Sequence, residues 1–128
     1  KLKKKYNVKH IGILITDSHT APLRAGVTGI ALGYAGFRGI KDYRNTKDIF
    51  NRKFKFSRVN VADSLATSAT FLMGEGNEQQ PLATIRNASI KFCDKIDKKE
   101  LKIDIKDDIN KHTTEANNEI IVPRGVIA

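Results

Sequence analysis

The stretch Ile11-Gly-Ile-Leu-Ile-Thr-Asp-Ser18 decides the fold. Its first five residues, Ile11–Ile15, form a short, continuous and largely β-branched apolar run. Because this run is too short for a typical helix, it predicts a buried strand. The polar residues that follow, from Thr16 to Pro22, predict a loop directly after the strand. Loops held in place by a rigid element often carry functional side chains, so this loop is the first candidate site.

The glycine-rich stretch that comes next is interpreted as a second strand. Five of the chain's nine glycines lie between Gly26 and Gly39, while Ile30, Leu32 and Tyr34 alternate with other residues. Several glycines are three or four residues apart, which leaves a helix as the alternative. Since each glycine costs about 1 kcal/mol relative to alanine inside a helix, the strand is favoured. Its glycines would then permit close approach of neighbouring backbone.

A strand followed by a helix is predicted around Asn60. Alternating residues from Phe54 to Val61 indicate a strand with a bulge near Arg58, and Phe54 and Phe56 are expected in the core. Asn60 is expected to cap the helix, with Asp63 completing a weak capping box. Gly74 and Gly76 are expected to end it. The residues predicted to share one apolar face of this helix are Val61, Leu65, Ala69, Leu72 and Met73.

The remaining segments are less patterned. Lys41–Lys53 is predicted to be a loop with a turn at Tyr43–Thr46, Leu82–Ile85 a short strand, and Glu119–Val122 an edge strand. The whole chain is therefore predicted to be α+β, with mixed or antiparallel strands and few helices. Residues 1–86 are interpreted as the core, and residues 87–128 as a charged C-terminal extension of the same domain.

The net charge of +9 is concentrated in the front of the chain. Through Asn87 there are 15 basic and 6 acidic residues, whereas the remainder has 8 of each. A basic front favours an anionic partner, either nucleic acid, a phosphorylated small molecule or a polyglutamate-bearing cofactor. Solubility is the simpler explanation of the same charge. No RNA-binding motif with stacking aromatic residues is present, so nucleic acid is the least favoured of these partners.

Several classes of protein are excluded by composition. No apolar run approaches the roughly 20 residues needed to span a bilayer, and the basic N-terminus lacks a secretory leader's apolar segment. The single cysteine, Cys93, rules out an internal disulfide framework and suits a reducing cytoplasm, which is the expected location. The three histidines are scattered, so no zinc-type ligand cluster is predicted.

Two loops carry groups that suit phosphate and metal chemistry. Asp17 and Ser18 place a carboxylate beside a hydroxyl, and such oxygen ligands suit Mg²⁺ or Mn²⁺. Taken alone, such a pair after a strand is usually a turn or a helix cap. Met73-Gly-Glu-Gly-Asn-Glu-Gln-Gln80 combines glycines, carboxylates and amides, but fits neither a P-loop nor a Rossmann fingerprint. Arg24 is a candidate for contact with substrate or phosphate. His19 is a weaker candidate base.

In order and spacing, these segments resemble the coenzyme F420-0:L-glutamate (γ-glutamyl) ligase family, together with its folate-directed relatives. The resemblance covers Gly12 to Arg86 and fades beyond it. The residues that carry it are Gly12-Ile-Leu-Ile-Thr-Asp-Ser18, Pro22-Leu-Arg-Ala-Gly26, Gly29-Ile-Ala-Leu-Gly-Tyr-Ala-Gly36, Asp42-Tyr-Arg44, Lys47-Asp-Ile-Phe50, Val59-Asn-Val-Ala-Asp-Ser-Leu-Ala66 and Phe71-Leu-Met-Gly-Glu-Gly76, leading to Pro81.

The resemblance implies a partial γ-glutamyl ligase fold and a GTP-dependent reaction through an acyl phosphate, in which L-glutamate is added to an F420 precursor or a folate. It implies Mn²⁺ or Mg²⁺ held by Asp17, Ser18 and Glu75, and a homodimer. The nucleotide would be contacted by the loop Met73, Gly74, Glu75, Gly76, Asn77, Glu78, Gln79 and Gln80.

Two departures from the family qualify these expectations. After the metal motif the family has an aromatic-Gly-Arg-Pro-Trp-Arg sequence, whereas this chain has His19-Thr-Ala-Pro-Leu-Arg24 and keeps only Pro22 and Arg24. The family also has an N-terminal half with further nucleotide and metal contacts, which these residues do not contain. We therefore expect the chain to be the C-terminal part of the enzyme and inactive alone. The alternative is a non-catalytic binding module whose basic face takes RNA or another polyanion.

Overall fold

The computed structural model describes residues 1–97 and 99–108. Two antiparallel two-stranded sheets, β1–β2 and β3–β4, are accompanied by one long helix that packs mainly on β2. The predicted α+β class is therefore confirmed. The elements are, in order, α1 (Leu2–Lys5), β1 (Ile13–Thr20), β2 (Val27–Ala35), β3 (Ile40–Asp42), β4 (Arg58–Asn60), α2 (Val61–Met73) and a 3₁₀ helix (Ile105–Asp107).

The first sheet extends further than the sequence predicted. β1 continues to Thr20, and Asp17 and Ser18 pair with Ile30 and Gly29 of β2. The expectation of a loop from Thr16 onward is wrong, because β2 offers backbone partners along this whole length. The interpretation of the glycine-rich stretch as a strand is confirmed, and the helical alternative is wrong. The register shifts between Ile15 and Thr16, as in a β-bulge.

Helix α2 begins and ends where the sequence predicted. The Asn60 side chain accepts a hydrogen bond from the backbone N–H of Asp63 at 3.0 Å, and Gly74 ends the helix with a φ of 81°. The capping box differs from the expected form. Asp63 accepts from the Asn60 side chain at 2.6 Å and from the backbone N–H of Ala31 at 2.8 Å. Asp63 therefore fastens the start of α2 to β2.

The core consists of small side chains where α2 crosses the first sheet. A methyl group at Gly29 would overlap the backbone of Ala66, so helix and strand are in direct backbone contact. The predicted apolar face is partly wrong, because Leu72 is 58% exposed. The buried face of the helix consists mainly of alanines. The close approach of helix and strand at Gly29 requires such small side chains. The buried side chains among the described residues are Phe37, Ala62, Ala66, Ala69 and Thr70.

The face of the β1–β2 sheet that points away from α2 carries exposed apolar side chains at the end of the sheet near Ile13. Ile13, Ile15 and Leu32 are 42%, 62% and 65% exposed. The prediction of a buried strand at Ile11–Ile15 is wrong in this respect. The reason is that α2 covers only one side of the sheet.

The second sheet is smaller than expected. Residues 54–57 do not belong to a strand, and β4 begins only at Arg58. The placement of Phe56 in the core is wrong, since it is 86% exposed, whereas Phe54 is half-buried and meets the Tyr43 ring edge-on. The predicted turn is confirmed by a hydrogen bond from the Thr46 N–H to the carbonyl of Tyr43 at 3.0 Å.

Two other predicted strands have different outcomes. Leu82–Ile85 belongs to no strand, so that prediction is wrong. Glu119–Val122 lies outside the described residues. Within residues 1–97 and 99–108, no helix is both long and apolar enough to cross a membrane.

The segment after residue 87 forms backbone hydrogen bonds with the residues that follow β2. Phe37 pairs with Phe92 in an antiparallel bridge, the Arg38 N–H donates to the carbonyl of Lys91 at 2.8 Å, and the Cys93 N–H donates to that of Gly36 at 3.0 Å. This segment covers Phe37, the largest fully buried side chain among the described residues.

Candidate functional site

The side chains of Ser18 and Glu75 meet at the end of α2. The Ser18 hydroxyl donates a short hydrogen bond to Oε1 of Glu75, although the two residues are 57 positions apart in sequence. Strand β1 positions Ser18, and the glycine at position 74 turns the chain out of α2 so that Glu75 reaches back to the sheet. The fold thus unites the two segments that the sequence singled out separately.

A second contact between β1 and α2 involves two threonines, of which Thr16 precedes Ser18 by two residues on β1. The hydroxyls of Thr16 and Thr70 lie 3.1 Å apart, and the Thr67 hydroxyl donates to the carbonyl of Gly29 at 3.0 Å. Thr70 is buried. No sequence pattern indicated Thr70, because nothing local distinguishes a helical threonine that contacts another element from one whose hydroxyl is exposed. These bonds hold β1, β2 and α2 in one arrangement around Ser18.

A cavity of about 480 Å³ opens beside the Ser18–Glu75 pair. It lies between β2 and the last two turns of α2, and its wall includes Gly29, Thr70 and Glu75. Hydroxyl groups and one carboxylate line it together with the Phe71 ring. A cavity of this size, with a mostly apolar lining and a few polar groups, is of the kind that accommodates a small ligand.

Asp17 lies on the other face of the sheet. Side chains of consecutive strand residues point to opposite faces, and both Thr16 and Ser18 contact residues at α2. Asp17 therefore points away from α2, and its Oδ1 accepts a hydrogen bond from the Ser18 backbone N–H at 2.8 Å. The structure brings Ser18 and Glu75 together but places Asp17 on the far side of the strand from them.

The loop from Gly74 to Gln80 is folded on itself. Glu78 accepts from the Gly76 N–H at 2.8 Å, and its carboxylate packs so closely on Gly74 that a side chain there would overlap it. Gln79 donates to the side chain of Asn77 at 3.1 Å. Gly74 and Glu75 are the residues of this loop that line the cavity. The prediction that these residues contact nucleotide stays a prediction.

Arg24 lies in the exposed connection between β1 and β2. Its backbone N–H donates to the carbonyl of Ala21 at 3.3 Å, and the chain here turns through Leu23, which has a φ of 57°. His19 points to the same face of β1 as Asp17, because the two are separated by one residue. The predicted role of Arg24 in binding substrate or phosphate stays a prediction.

The oxygen atoms near Glu75 suit part of a binding site for a hard cation. Ser18 and Glu75 supply the oxygen ligands that Mg²⁺ and Mn²⁺ prefer. Within the part of the chain that the structure describes, no group of three or more His, Cys, Asp or Glu residues is arranged to hold a metal. Mg²⁺ usually completes its shell with water and substrate phosphates, so two protein ligands are compatible with it.

Another carboxylate with partners distant in sequence lies elsewhere, at Glu100. It accepts from the Tyr34 hydroxyl at 2.7 Å and from the Gly39 N–H at 2.9 Å. Burial, and then the hydrogen bond to Glu100, raise the pKa of Tyr34, so the phenol stays protonated. Nothing in the unpatterned sequence around Glu100 indicated this role.

Comparison with known proteins identifies the family. The family model for F420-0:gamma-glutamyl ligase matches residues 1–87 of the chain. The chain belongs to this family. The resemblance found from the sequence motifs is thereby confirmed, and the match ends one residue beyond the point where the motifs fade.

Individual relatives agree with this membership. The chain is 43% identical over 86 residues to a coenzyme F420:L-glutamate ligase of Methanococcus maripaludis, covering 67% of this chain and 35% of that protein. It is 40% identical over 84 residues to the protein of the same name from Methanocaldococcus jannaschii, covering 66% and 34%. The counterpart in Archaeoglobus fulgidus is 35% identical over 82 residues, covering 64% and 33%. The chain thus spans about a third of the length of the curated relatives it matches.

Proposed function

We propose that this chain is part of a GTP-dependent γ-glutamyl ligase that adds L-glutamate to a coenzyme F420 precursor. The observation that carries the proposal is the contact between Ser18 and Glu75, which joins two family motifs beside one cavity. The names of the relatives favour the F420 precursor over a folate as the acceptor. Membership of a ligase family makes an enzymatic role the better supported one, compared with a binding module for polyanions.

The proposed reaction has two steps. An acceptor carboxylate oxygen attacks the γ-phosphorus of GTP, which forms an acyl phosphate and releases GDP. The amine of L-glutamate then attacks the acyl carbon, expels phosphate and loses a proton, which leaves an amide. A bound divalent cation would neutralise the charge that develops on the phosphate oxygens.

The residues of this chain would take defined parts in that reaction. Ser18 and Glu75 would hold Mn²⁺ or Mg²⁺ from the α2 side of the sheet, and Asp17 would contribute only if another part of the ligase brought the cation to its face. The loop up to Gln80 would contact the GTP phosphates, and Arg24 would face acceptor or phosphate. A homodimer would form around this unit, as the family resemblance implies.

The chain alone is proposed to be inactive. It spans about a third of the curated relatives, and the described residues offer only two protein ligands on one face of the metal site. The apolar face of the β1–β2 sheet supports this view, because an uncovered apolar surface of this kind marks a site of contact with further protein.

A chimera tests the proposal. Residues 1–87 would replace the segment that they match in the Methanococcus maripaludis ligase, and the purified protein would be assayed with GTP, Mn²⁺, labelled glutamate and the F420 precursor. We expect glutamate to be incorporated by the chimera and by a Ser57→Ala control, whose exposed side chain is remote from the cavity. A folded chimera that binds the acceptor but forms no amide would contradict the proposal.

A further inference from the structure

A second cavity lies at the opposite end of α2 from Glu75. It has a volume of about 560 Å³ and opens where β3 and Val61, the first residue of α2, meet the segment after residue 87. Since α2 has 13 residues and a helix rises 1.5 Å per residue, this cavity lies about 20 Å from the Ser18–Glu75 pair. The two sites are therefore separate.

Three cationic residues line this cavity. Arg38 and Lys41 come from the core, and Lys91 comes from the following segment. The hydrogen bond from the Arg38 N–H to the carbonyl of Lys91 and the adjoining Phe37–Phe92 bridge hold two of these cations on neighbouring chain segments. The backbone therefore holds these two residues close together, so their proximity does not depend on flexible side chains alone.

The two carboxylates in the same wall are already bound elsewhere. Asp42 accepts from Nε and Nη2 of Arg44 at 2.9 and 2.5 Å, a two-point ion pair. Glu100 accepts from the Tyr34 hydroxyl and the Gly39 N–H, and it also forms a long ion pair with Arg38, in which Oε1 lies 3.9 Å from Nη1.

The cations therefore keep donors for a ligand. Among the described residues, Lys91 forms no ion pair, and Lys41 lies over the Tyr43 ring at 5.0 Å. Three cationic residues around one cavity suit an oxyanion, because the Arg38 guanidinium can donate two parallel hydrogen bonds to it.

We propose that this cavity binds a small-molecule oxyanion, a phosphate or a carboxylate group, through Arg38, Lys41 and Lys91. The site does not depend on the ligase reaction. Part of its wall, including Ser89 and Lys91, lies beyond the residues that the family model matches, so the site belongs to this chain's own combination of core and following segment.

The test is a site-resolved titration of the whole chain by amide NMR at 0.15 M NaCl, with inorganic phosphate in one series and glutarate in the other. We expect saturable shifts at the amides of Arg38, Ser89 and Lys91 in at least one series. Binding in the phosphate series only would identify a phosphoryl ligand, and stronger binding in the glutarate series a carboxylate ligand.

Variants separate the site from general surface charge. Arg38→Gln combined with Lys91→Gln should weaken the dissociation constant at least tenfold, whereas Lys55→Gln with Lys95→Gln, which removes the same charge elsewhere, should leave it within twofold. Lys91→Arg, which keeps the charge, should bind as the unmodified chain does. Shifts spread over all basic residues, an absence of saturation in both series, or equal weakening by both double variants would overturn the proposal.

Discussion

At the scale of single residues, Gly29 determines how closely helix and sheet approach. Its backbone lies against the Ala66 carbonyl and the Thr70 hydroxyl. The sequence predicted that glycines in this strand would permit close backbone approach, and at Gly29 this is confirmed. It gave no means to choose between glycines, since Gly33 of the same strand has open space where a side chain would be.

Substitution of Gly29 by alanine should destabilise the fold. The added methyl group has no room against the helix backbone, and overpacking of this kind costs about 1–3 kcal/mol. Urea unfolding followed by circular dichroism would measure the loss. Gly33→Ala is the matched control and should change the free energy of unfolding by less than about 0.5 kcal/mol, as exposed substitutions usually do. Equal losses at both positions would contradict the packing described here.

Asp42 provides a test of the local electrostatics. Hydrogen bonds from the Arg44 side chain, and then from its backbone, lower the pKa of Asp42 to about 2. Because folding depresses this pKa, the pair's contribution to stability is present above about pH 4, the ordinary range of the group, and is lost as the pH falls through about 2. The pair is exposed, so the effect on stability should be small and should weaken with salt.

An NMR titration of the Asp42 carboxyl at low ionic strength checks this expectation. The midpoint should lie near pH 2 in the unmodified chain and should rise toward the ordinary value in Arg44→Gln. A midpoint that Arg44→Gln leaves unchanged would show that the guanidinium is not the cause.

At the scale of elements, local chemistry predicted α2 well and the strands less well. Asn60 ends the helix on one side through a side-chain hydrogen bond, and Gly74 ends it on the other through its backbone conformation. Both are properties of single residues and can be predicted locally. Strand lengths depend on partners distant in sequence. β1 continues through Asp17 and Ser18 because β2 pairs with it, and no local feature of those polar residues indicated this.

The contact between Ser18 and Glu75 shows the same limit. The motifs predicted both residues, but their meeting depends on the packing of α2 across β1 and β2. The alternation of the strand then separates Ser18 from Asp17, which could not be foreseen while both were expected in a loop. Glu100 had no local signal because its partners, Tyr34 and Gly39, are more than 60 residues away.

Removal of the helix cap should lower the free energy of unfolding by a moderate amount. Asn60→Ala deletes the acceptor for the Asp63 N–H and should lower the free energy of unfolding by about 1 kcal/mol. Asn60→Ser keeps a capping oxygen and should restore most of that loss. Thermal unfolding of both variants would decide, and an Asn60→Ser variant no better than Asn60→Ala would indicate that the cap is not what Asn60 contributes.

At the scale of the whole molecule, the described residues bury few large apolar side chains. Apart from Phe37, their buried apolar side chains are alanines, while Ile13, Ile15 and Leu32 face outward. We expect such a unit to depend on further protein for its stability. The chain spans about a third of the length of its relatives, which agrees with this expectation.

The outer face of β1–β2 should therefore matter only in the larger protein. Ile15→Thr with Leu32→Thr should change the stability of the chain alone by less than about 0.5 kcal/mol, because both side chains are mostly exposed. In the chimera with the Methanococcus maripaludis ligase the same pair should cost about 2 kcal/mol or more, since the face would then be buried. Denaturant unfolding of the four proteins makes the comparison. Equal small effects in both backgrounds would show that this face stays exposed.

The most direct test of the central claim is Mn²⁺-dependent GTP binding by the chimera carrying Glu75→Gln. The amide keeps the size of the side chain and removes the charge that would hold the cation. We expect GTP affinity in the presence of Mn²⁺ to fall at least about a hundredfold, since a metal–phosphate clamp is worth several kcal/mol. The Asp48→Asn control, at a carboxylate within residues 1–87 that does not line the cavity, should bind as before. Unchanged Mn²⁺-dependent binding by Glu75→Gln would contradict the placement of the metal–phosphate site at Ser18 and Glu75.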